Sequence, residues 1–91
     1  MDKSIYSHNY SEMLKLLVAT RRNAGLTQIE VGQRLDETQT FVSKCERGER
    51  RLDVVELRMW CSALGVSFTT FTRDLDQACP PLDDGKLGSR S

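Results

Sequence analysis

Residues 27–47 read TQIEVGQRLDETQTFVSKCER, and their punctuation decides the architecture. Thr27 followed by Glu30 is a capping-box spacing. The hydroxyl takes the N3 amide while the carboxylate reaches back to the cap's own N–H, so a helix starts at Thr27. Val31 and Leu35 recur behind it at helical spacing. A glycine inside a helix lowers its stability, so Gly32 predicts a close crossing there. Thr38 is a second cap. The helix it opens runs to about Arg47, with Gly48 as its stop. Only Asp36 to Thr38 separate the two helices, and two short helices joined so tightly must cross steeply.

Outward from this pair, Ser11 and the run from Glu12 to Ala24 predict a first helix. Met13, Leu14, Leu17 and Ala24 keep one face of it, and Gly25 ends it. Asp53-x-x-Glu56 repeats the capping-box spacing and opens a helix through Leu64, which Gly65 closes. Ser67 caps a short last helix to about Leu75. Neither strand alternation nor an internal repeat is visible. Five short helices with brief connections predict a compact all-α domain over residues 10–76. Residues 1–9, MDKSIYSHN, lack periodicity and are expected to be loose. Residues 77–91 carry Pro-Pro, Asp, Gly and Ser and are expected to form a flexible acidic tail.

Composition narrows the function classes. The 91 residues suffice for one domain. Thirteen basic and thirteen acidic residues cancel, which argues against a generic polyanion binder. The balance is uneven along the chain. Residues 11–52 hold eight Lys/Arg against six Asp/Glu, whereas residues 74–84 hold four Asp and no base. Cys45, Cys61 and Cys79 form no C-x-x-C pair, and the lone His8 offers no partner for zinc. The expectation is a reduced, cytoplasmic protein without metal or cofactor. No apolar run approaches the roughly 18 residues of a membrane span, and no signal-peptide pattern opens the chain. No Ser/His/Asp set, phosphate-cradling loop or metal motif appears, so no catalytic residue is assigned and no enzyme is expected. Asp74-x-Asp76 and Asp83-Asp84 read as solvated charge.

The helix after Thr38 has two unlike sides. At about 100° per residue, Phe41, Val42 and Cys45 share one side while Gln39, Thr40, Ser43, Lys44 and Arg47 share the other. An amide, two hydroxyls and two cations can bond base edges or phosphates in a major groove. A polar outer face is equally what any surface helix shows.

The chain resembles the Xre/Cro-type helix-turn-helix family, which includes the lambda-repressor-like phage repressors. The resemblance rests on Gly25-Leu26-Thr27-Gln28, Arg34-Leu35, Thr38, Val42-Ser43, Glu46-Arg47-Gly48 and Ala63-Leu64-Gly65-Val66. These stand in the family's order and spacing over roughly residues 13–75. It implies a five-helix lambda-repressor-like fold whose third helix lies in the major groove.

The resemblance also implies roles, residue by residue. Gln39, Thr40, Ser43 and Lys44 match base-facing positions. Thr27 and Gln28, at the start of the second helix, match contacts to the DNA backbone, and Gln28 also braces the recognition helix. Arg47, Arg50 and Arg51 match a region that approaches phosphates. Arg21 and Glu46 match a structural ion pair between the first and third helices. The pattern is departed from at two places. Asp36 and Glu37 stand where glycine and an apolar residue are usual, and Cys45 replaces an aliphatic core residue.

Other side chains leave alternatives open. Cys45 and Cys61 fit core filling or redox sensing; Cys79, beside Pro-Pro, is the better placed reactive thiol or an inert tail residue. Trp60 fits the core or a partner surface. Phe68, Phe71 and Leu75 on the last helix are expected to supply a dimer seam, with Leu16 and Val18 second. The sequence reading is a sequence-specific regulator, a repressor, that binds an inverted-repeat operator in double-stranded DNA as a homodimer. The alternative is an antitoxin or interaction module that holds a toxin or another regulator with the same fold. A domain cut from a larger regulator is a third reading.

Overall fold

The structure is a computed structural model and describes residues 3–81. Five helices follow one another: α1 (Lys3–Asn23), α2 (Gln28–Leu35), α3 (Gln39–Glu46), α4 (Val54–Leu64) and α5 (Phe68–Ala78). The described residues contain no strand.

Caps set the starts of four helices. Thr27 Oγ1 accepts from the Glu30 amide at 3.1 Å, and Glu30 Oε1 accepts from the Thr27 amide at 2.8 Å. Asp53 and Glu56 make the same reciprocal pair at 2.7 and 2.9 Å. Thr38 Oγ1 accepts from the Phe41 amide at 3.0 Å, and Ser67 Oγ accepts from the Thr70 amide at 3.3 Å. Each bond satisfies a first-turn donor that has no partner inside its helix.

The turn between α2 and α3 is tight. A Cβ on Gly32 would stand 2.8 Å from the Glu37 carbonyl oxygen and 3.2 Å from the Thr38 carbonyl. The close approach read from Gly32 is therefore to the backbone of the turn, which folds back so that the Glu37 amide reaches the Gly32 carbonyl at 2.8 Å. Asp36 takes the left-handed conformation at the α2 C-terminus, with φ 59° and ψ 42°. Glycine enters that region without strain, and Asp is among the few other residues that visit it.

One core joins the helices: Met13 and Leu17 from α1, Val31, Val42, Cys45, then Leu57, Trp60, Cys61 and Leu64 from α4, and Phe71 from α5. Cys45 and Cys61 are fully buried free thiols, and Trp60 is a core residue. Burial pushes the Cys45 thiol up to about 11 and raises Cys61, which suits small core hydrophobes and not reactive groups. Cys79 is half-buried, and burial with the carboxylates of Glu12 and Asp76 raises its thiol also.

Three expectations change. Helix α1 begins at Lys3, not near Ser11, so residues 3–9 are helical. Tyr10 explains the extension. It packs against the core, its hydroxyl accepts from the Leu52 amide at 3.0 Å, and an anchor of that kind leaves no apolar periodicity upstream to read. Helix α5 runs to Ala78, past Leu75 and into the segment expected as tail. Residues 1–2 and 82–91, where the rest of the loose segment and the acidic tail were expected, lie outside the described residues. Finally, α5 shows no apolar seam. Phe71 is a buried core residue, and Phe68 and Leu75 are half-buried against that core. Thr69, Thr70, Arg73, Asp74 and Gln77 are exposed instead. Helical spacing gave α5 an apolar stripe without saying how much of it the monomer itself covers. Leu16 also packs on the core, and Val18 is half-buried.

Candidate nucleic-acid interface

Helix α3 turns Val42 and Cys45 into the core, with Phe41 half-buried beside them. Gln39, Thr40 and Lys44 are exposed, and Ser43 is half-buried. The four positions expected to face bases therefore leave the packed side of the helix, as the apolar spacing requires.

A chain of polar contacts holds the start of α3. Arg21 Nε donates to Glu46 Oε2 at 2.6 Å and Arg21 Nη2 to Glu46 Oε1 at 3.1 Å. Arg21 Nη1 donates to the Leu26 carbonyl at 2.9 Å. Gln28 Nε2 donates to Glu46 Oε1 at 2.8 Å, and Gln39 Nε2 donates to Gln28 Oε1 at 2.9 Å. Arg21 and Glu46 are both buried in their side chains, so each charge is met by fixed groups of the protein. The chain ends at an exposed amide. Gln39 keeps its Oε1 and a second Nε2 hydrogen for another partner, the donor–acceptor pair that an adenine edge demands.

The first turn of α2 lies beside that amide. Thr27, Gln28 and Gln39 line one open cleft together with Arg22. The Thr27 hydroxyl and amide are taken up by the capping box with Glu30, and the bonds that the Thr27 amide and hydroxyl donate to Glu30 Oε1 lower its carboxyl. The amides of Gln28 and Ile29 remain at the positive end of the helix dipole, suited to a phosphate.

The three arginines after α3 differ. Arg47 pairs with Glu49 through Nε–Oε2 at 2.8 Å and Nη2–Oε1 at 3.2 Å, and its Nη1 also donates to Ser43 Oγ. That guanidinium holds the Glu49 carboxyl below the usual carboxylate range. Arg50 pairs with Glu56 at 2.7 Å and lies 5.2 Å over the Phe41 ring. Its hydrogen bond, with the Asp53 amide second, lowers the Glu56 carboxyl to about 2. Arg51 lies 4.0 Å over the Tyr10 ring, and no carboxylate pairs with it among the described residues. Stacking of this kind fixes a cation while leaving its donor edge open.

Sequence reading missed three parts of this site. Arg22 is exposed on the cleft wall, next to Arg21 in the last turn of α1. Cations are favourable at that end of a helix, so its charge alone did not stand out. Glu49 and Glu56 hold two of the arginines assigned to phosphate, and no helical spacing links either pair. The resemblance implied that Gln28 braces the recognition helix but not that Gln39 is the partner, because their bond spans the turn between two helices and leaves no periodic signal.

Comparison with known proteins agrees with this geometry. The profile of the family described as helix-turn-helix matches residues 17–71. An HTH-type transcriptional regulator of Sinorhizobium fredii, y4dJ, is 40% identical over 70 residues, which is 77% of this chain and 82% of the relative. The solved structure of an XRE-family like protein from Pseudomonas syringae pv. tomato superposes with a TM-score of 0.80 at 40% identity, covering 86% of this chain and 95% of that one.

Proposed function

The chain belongs to the Xre-type helix-turn-helix family of DNA-binding regulators and is no enzyme, and from that premise we propose a sequence-specific repressor that binds an inverted-repeat operator as a homodimer in the cytoplasm. One observation carries the reading. The exposed amide of Gln39 is held at the start of α3 by a chain of contacts through Gln28 and Glu46 to the buried Arg21. A reader held in place loses little freedom when it meets a base edge.

In this reading α3 lies in the major groove. Gln39, Thr40, Ser43 and Lys44 read bases. Thr27 and Gln28 contact the backbone at the α2 N-terminus, and Arg47, Arg50 and Arg51 contact it past the end of α3, setting register without reading sequence. Arg51 reaches a phosphate without first leaving a carboxylate.

Pairing of two copies is supported by α4. Val54, Val55 and Met59 are each more than half exposed, and with Ile29 they are the exposed large apolar side chains of the described residues. Arg58 is exposed among them and has no carboxylate partner among the described residues. Two α4 helices packed antiparallel would set each Arg58 against the acidic start of the other, where Asp53 and Glu56 lie. The same apolar face supports the second reading, in which a toxin or other protein covers it.

Selection of bound duplexes from a random DNA library tests the proposal. An enriched inverted repeat is the expected result. Failure to enrich any sequence would overturn it and favour the protein-binding role.

A further inference from the structure

We propose that Glu49 is a brake on DNA binding: its carboxylate occupies the edge of Arg47 that a DNA phosphate would take. The inference rests on the DNA-binding reading above.

Arg47 caps the C-terminal end of α3 and follows the base-facing Ser43 by one turn. Each of its three guanidinium nitrogens makes one contact, and the Nε–Nη2 edge is filled by Glu49. Nε and Nη2 hold the two oxygens of Glu49, and Nη1 holds Ser43 Oγ. The fork that binds a carboxylate with two parallel N–H bonds is the fork that binds a phosphate. Arg47 therefore serves Glu49 or DNA with that edge, and not both. Both side chains are about half exposed, at 52% and 54%, so the exchange needs no unfolding. It leaves a free carboxylate next to the phosphate that displaced it, and like charges at such separation repel.

Glu49 has no other side-chain partner among the described residues. Its only further bond is backbone, from its amide to the Lys44 carbonyl at 2.9 Å. Glu56 differs, because it also completes the capping box of α4. The Glu49 carboxylate can thus be neutralised without touching a cap or the core.

The contact with Ser43 ties the brake to reading. While Arg47 is paired with Glu49, Ser43 Oγ accepts from its Nη1. On an arbitrary duplex the exchange has only one phosphate contact to offset it. On a matched duplex the freed Ser43 and the other readers contribute as well. The pair must part on either duplex, so Glu49 weakens both kinds of binding by a similar factor, which a chain of net charge zero achieves with one placed acid and not with bulk repulsion.

The test uses the full chain with a random-sequence duplex and the best duplex from library selection, titrated by fluorescence anisotropy at several NaCl concentrations. Glu49→Gln should tighten binding to the random duplex by roughly fivefold at low salt, the scale of an exposed ion pair. The salt dependence should steepen by about one unit. Tightening on the selected duplex should be of similar size, so the specificity ratio is kept. In an Arg47→Gln background the same change should tighten binding less than twofold. The proposal is overturned if Glu49→Gln leaves affinity and salt slope unchanged. It is equally overturned if the tightening persists in full without Arg47, since the carboxylate then acts only as bulk charge. A melting temperature lowered by many degrees would make Glu49 structural and also defeat it. If the wild-type chain binds neither duplex, the DNA reading itself falls, an outcome distinct from loss of the brake alone.

Discussion

Arg21 on α1 and Glu46 on α3 meet edge to edge, with Nε to Oε2 at 2.6 Å and Nη2 to Oε1 at 3.1 Å, and Arg21 is only 8% exposed. Glu46 Oε1 also accepts from Gln28, so one carboxylate ties α1, α2 and α3 together. A buried pair of this kind offers little net stability over an apolar pair of the same shape, but each partner makes the other indispensable. The exposed amide of Gln39 depends on it through Gln28.

Glu46→Ala should therefore destabilise the fold by about 3–5 kcal/mol, the usual result of stranding a buried charge. Domains of this class have only about 5–15 kcal/mol in total, so the variant should melt far below the wild type. Glu46→Gln keeps the Oε1 acceptor and should lose less. Denaturant titration of both variants is the check. An unchanged midpoint for Glu46→Ala would remove the pair from the list of stabilising contacts.

Gly32→Ala should also destabilise, against helix propensity. Propensity alone favours Ala by about 1 kcal/mol in a helix interior. The new methyl, however, meets the Glu37 carbonyl oxygen at 2.8 Å, and this neighbour is backbone that cannot rotate away. The α2–α3 turn must shift, at a net loss of about 1–3 kcal/mol, typical of overpacking. A raised melting temperature would mean that the turn yields freely.

The caps at Thr27, Thr38, Asp53 and Ser67 were legible in the sequence because each acts through a bond to an amide within three residues. The core side of α3 was legible because apolar spacing fixes which side packs. What escaped depends on contacts across the chain. Tyr10 anchors the early turns of α1 through Leu52, forty-two residues away, and nothing near Tyr10 announces it. The inward turn of Phe68, Phe71 and Leu75 depends on where α1 and α4 lie. The Gln39–Gln28 bridge and the Arg47–Glu49 pair involve exposed polar residues, whose partners a periodic pattern does not select.

Acid should weaken the start of α4 in a defined window. The Arg50 hydrogen bond, then the Asp53 amide, lower the Glu56 carboxyl from 4.5 to about 2 in the folded chain. A lowered carboxyl adds stability above its unfolded value, and that stability is lost as pH falls toward the folded value. The melting temperature should thus fall as pH drops from about 5 to about 2. Glu30 and Glu49, also lowered, act in the same direction. Glu56→Gln should flatten part of this decline while lowering stability at neutral pH. A carbon-detected NMR titration giving Glu56 an ordinary carboxyl value would contradict the Arg50 contact.

If α4 is the seam, charge placed on it should separate the copies. Val55→Glu and Met59→Glu each put a carboxylate on the exposed apolar face without entering the core. Either should weaken self-association at least tenfold in sedimentation equilibrium, since a charge in an apolar interface must be desolvated. Phe68→Ala should lower thermal stability instead, because Phe68 packs on its own core. Dimers that survive both α4 substitutions would move the seam elsewhere. A wild-type monomer at high concentration, with and without operator, would remove it.

The final prediction separates reading from holding. Gln39, Thr40, Ser43 and Lys44 should set sequence preference, whereas Gln28, Arg47, Arg50 and Arg51 should mainly set affinity. A Gln amide can pair with both N6 and N7 of adenine, and Lys can donate to O6 and N7 of guanine. Phosphates carry charge without sequence. Gln39→Ala should lose roughly 1–3 kcal/mol on the preferred site and flatten preference at one base pair. Arg51→Ala should weaken every site alike and make the salt dependence shallower by about one unit. Gln28→Ala should do some of each. It removes a contact at the α2 N-terminus, and it also frees the Gln39 amide that it holds at 2.9 Å. The measurement is a competition titration of these three variants and Lys44→Ala against the operator and its single-base changes at several salt concentrations. If Gln39→Ala and Lys44→Ala both keep wild-type affinity and preference, α3 does not read DNA. The apolar face of α4 would then become the better guide to function, with a protein partner in place of a duplex.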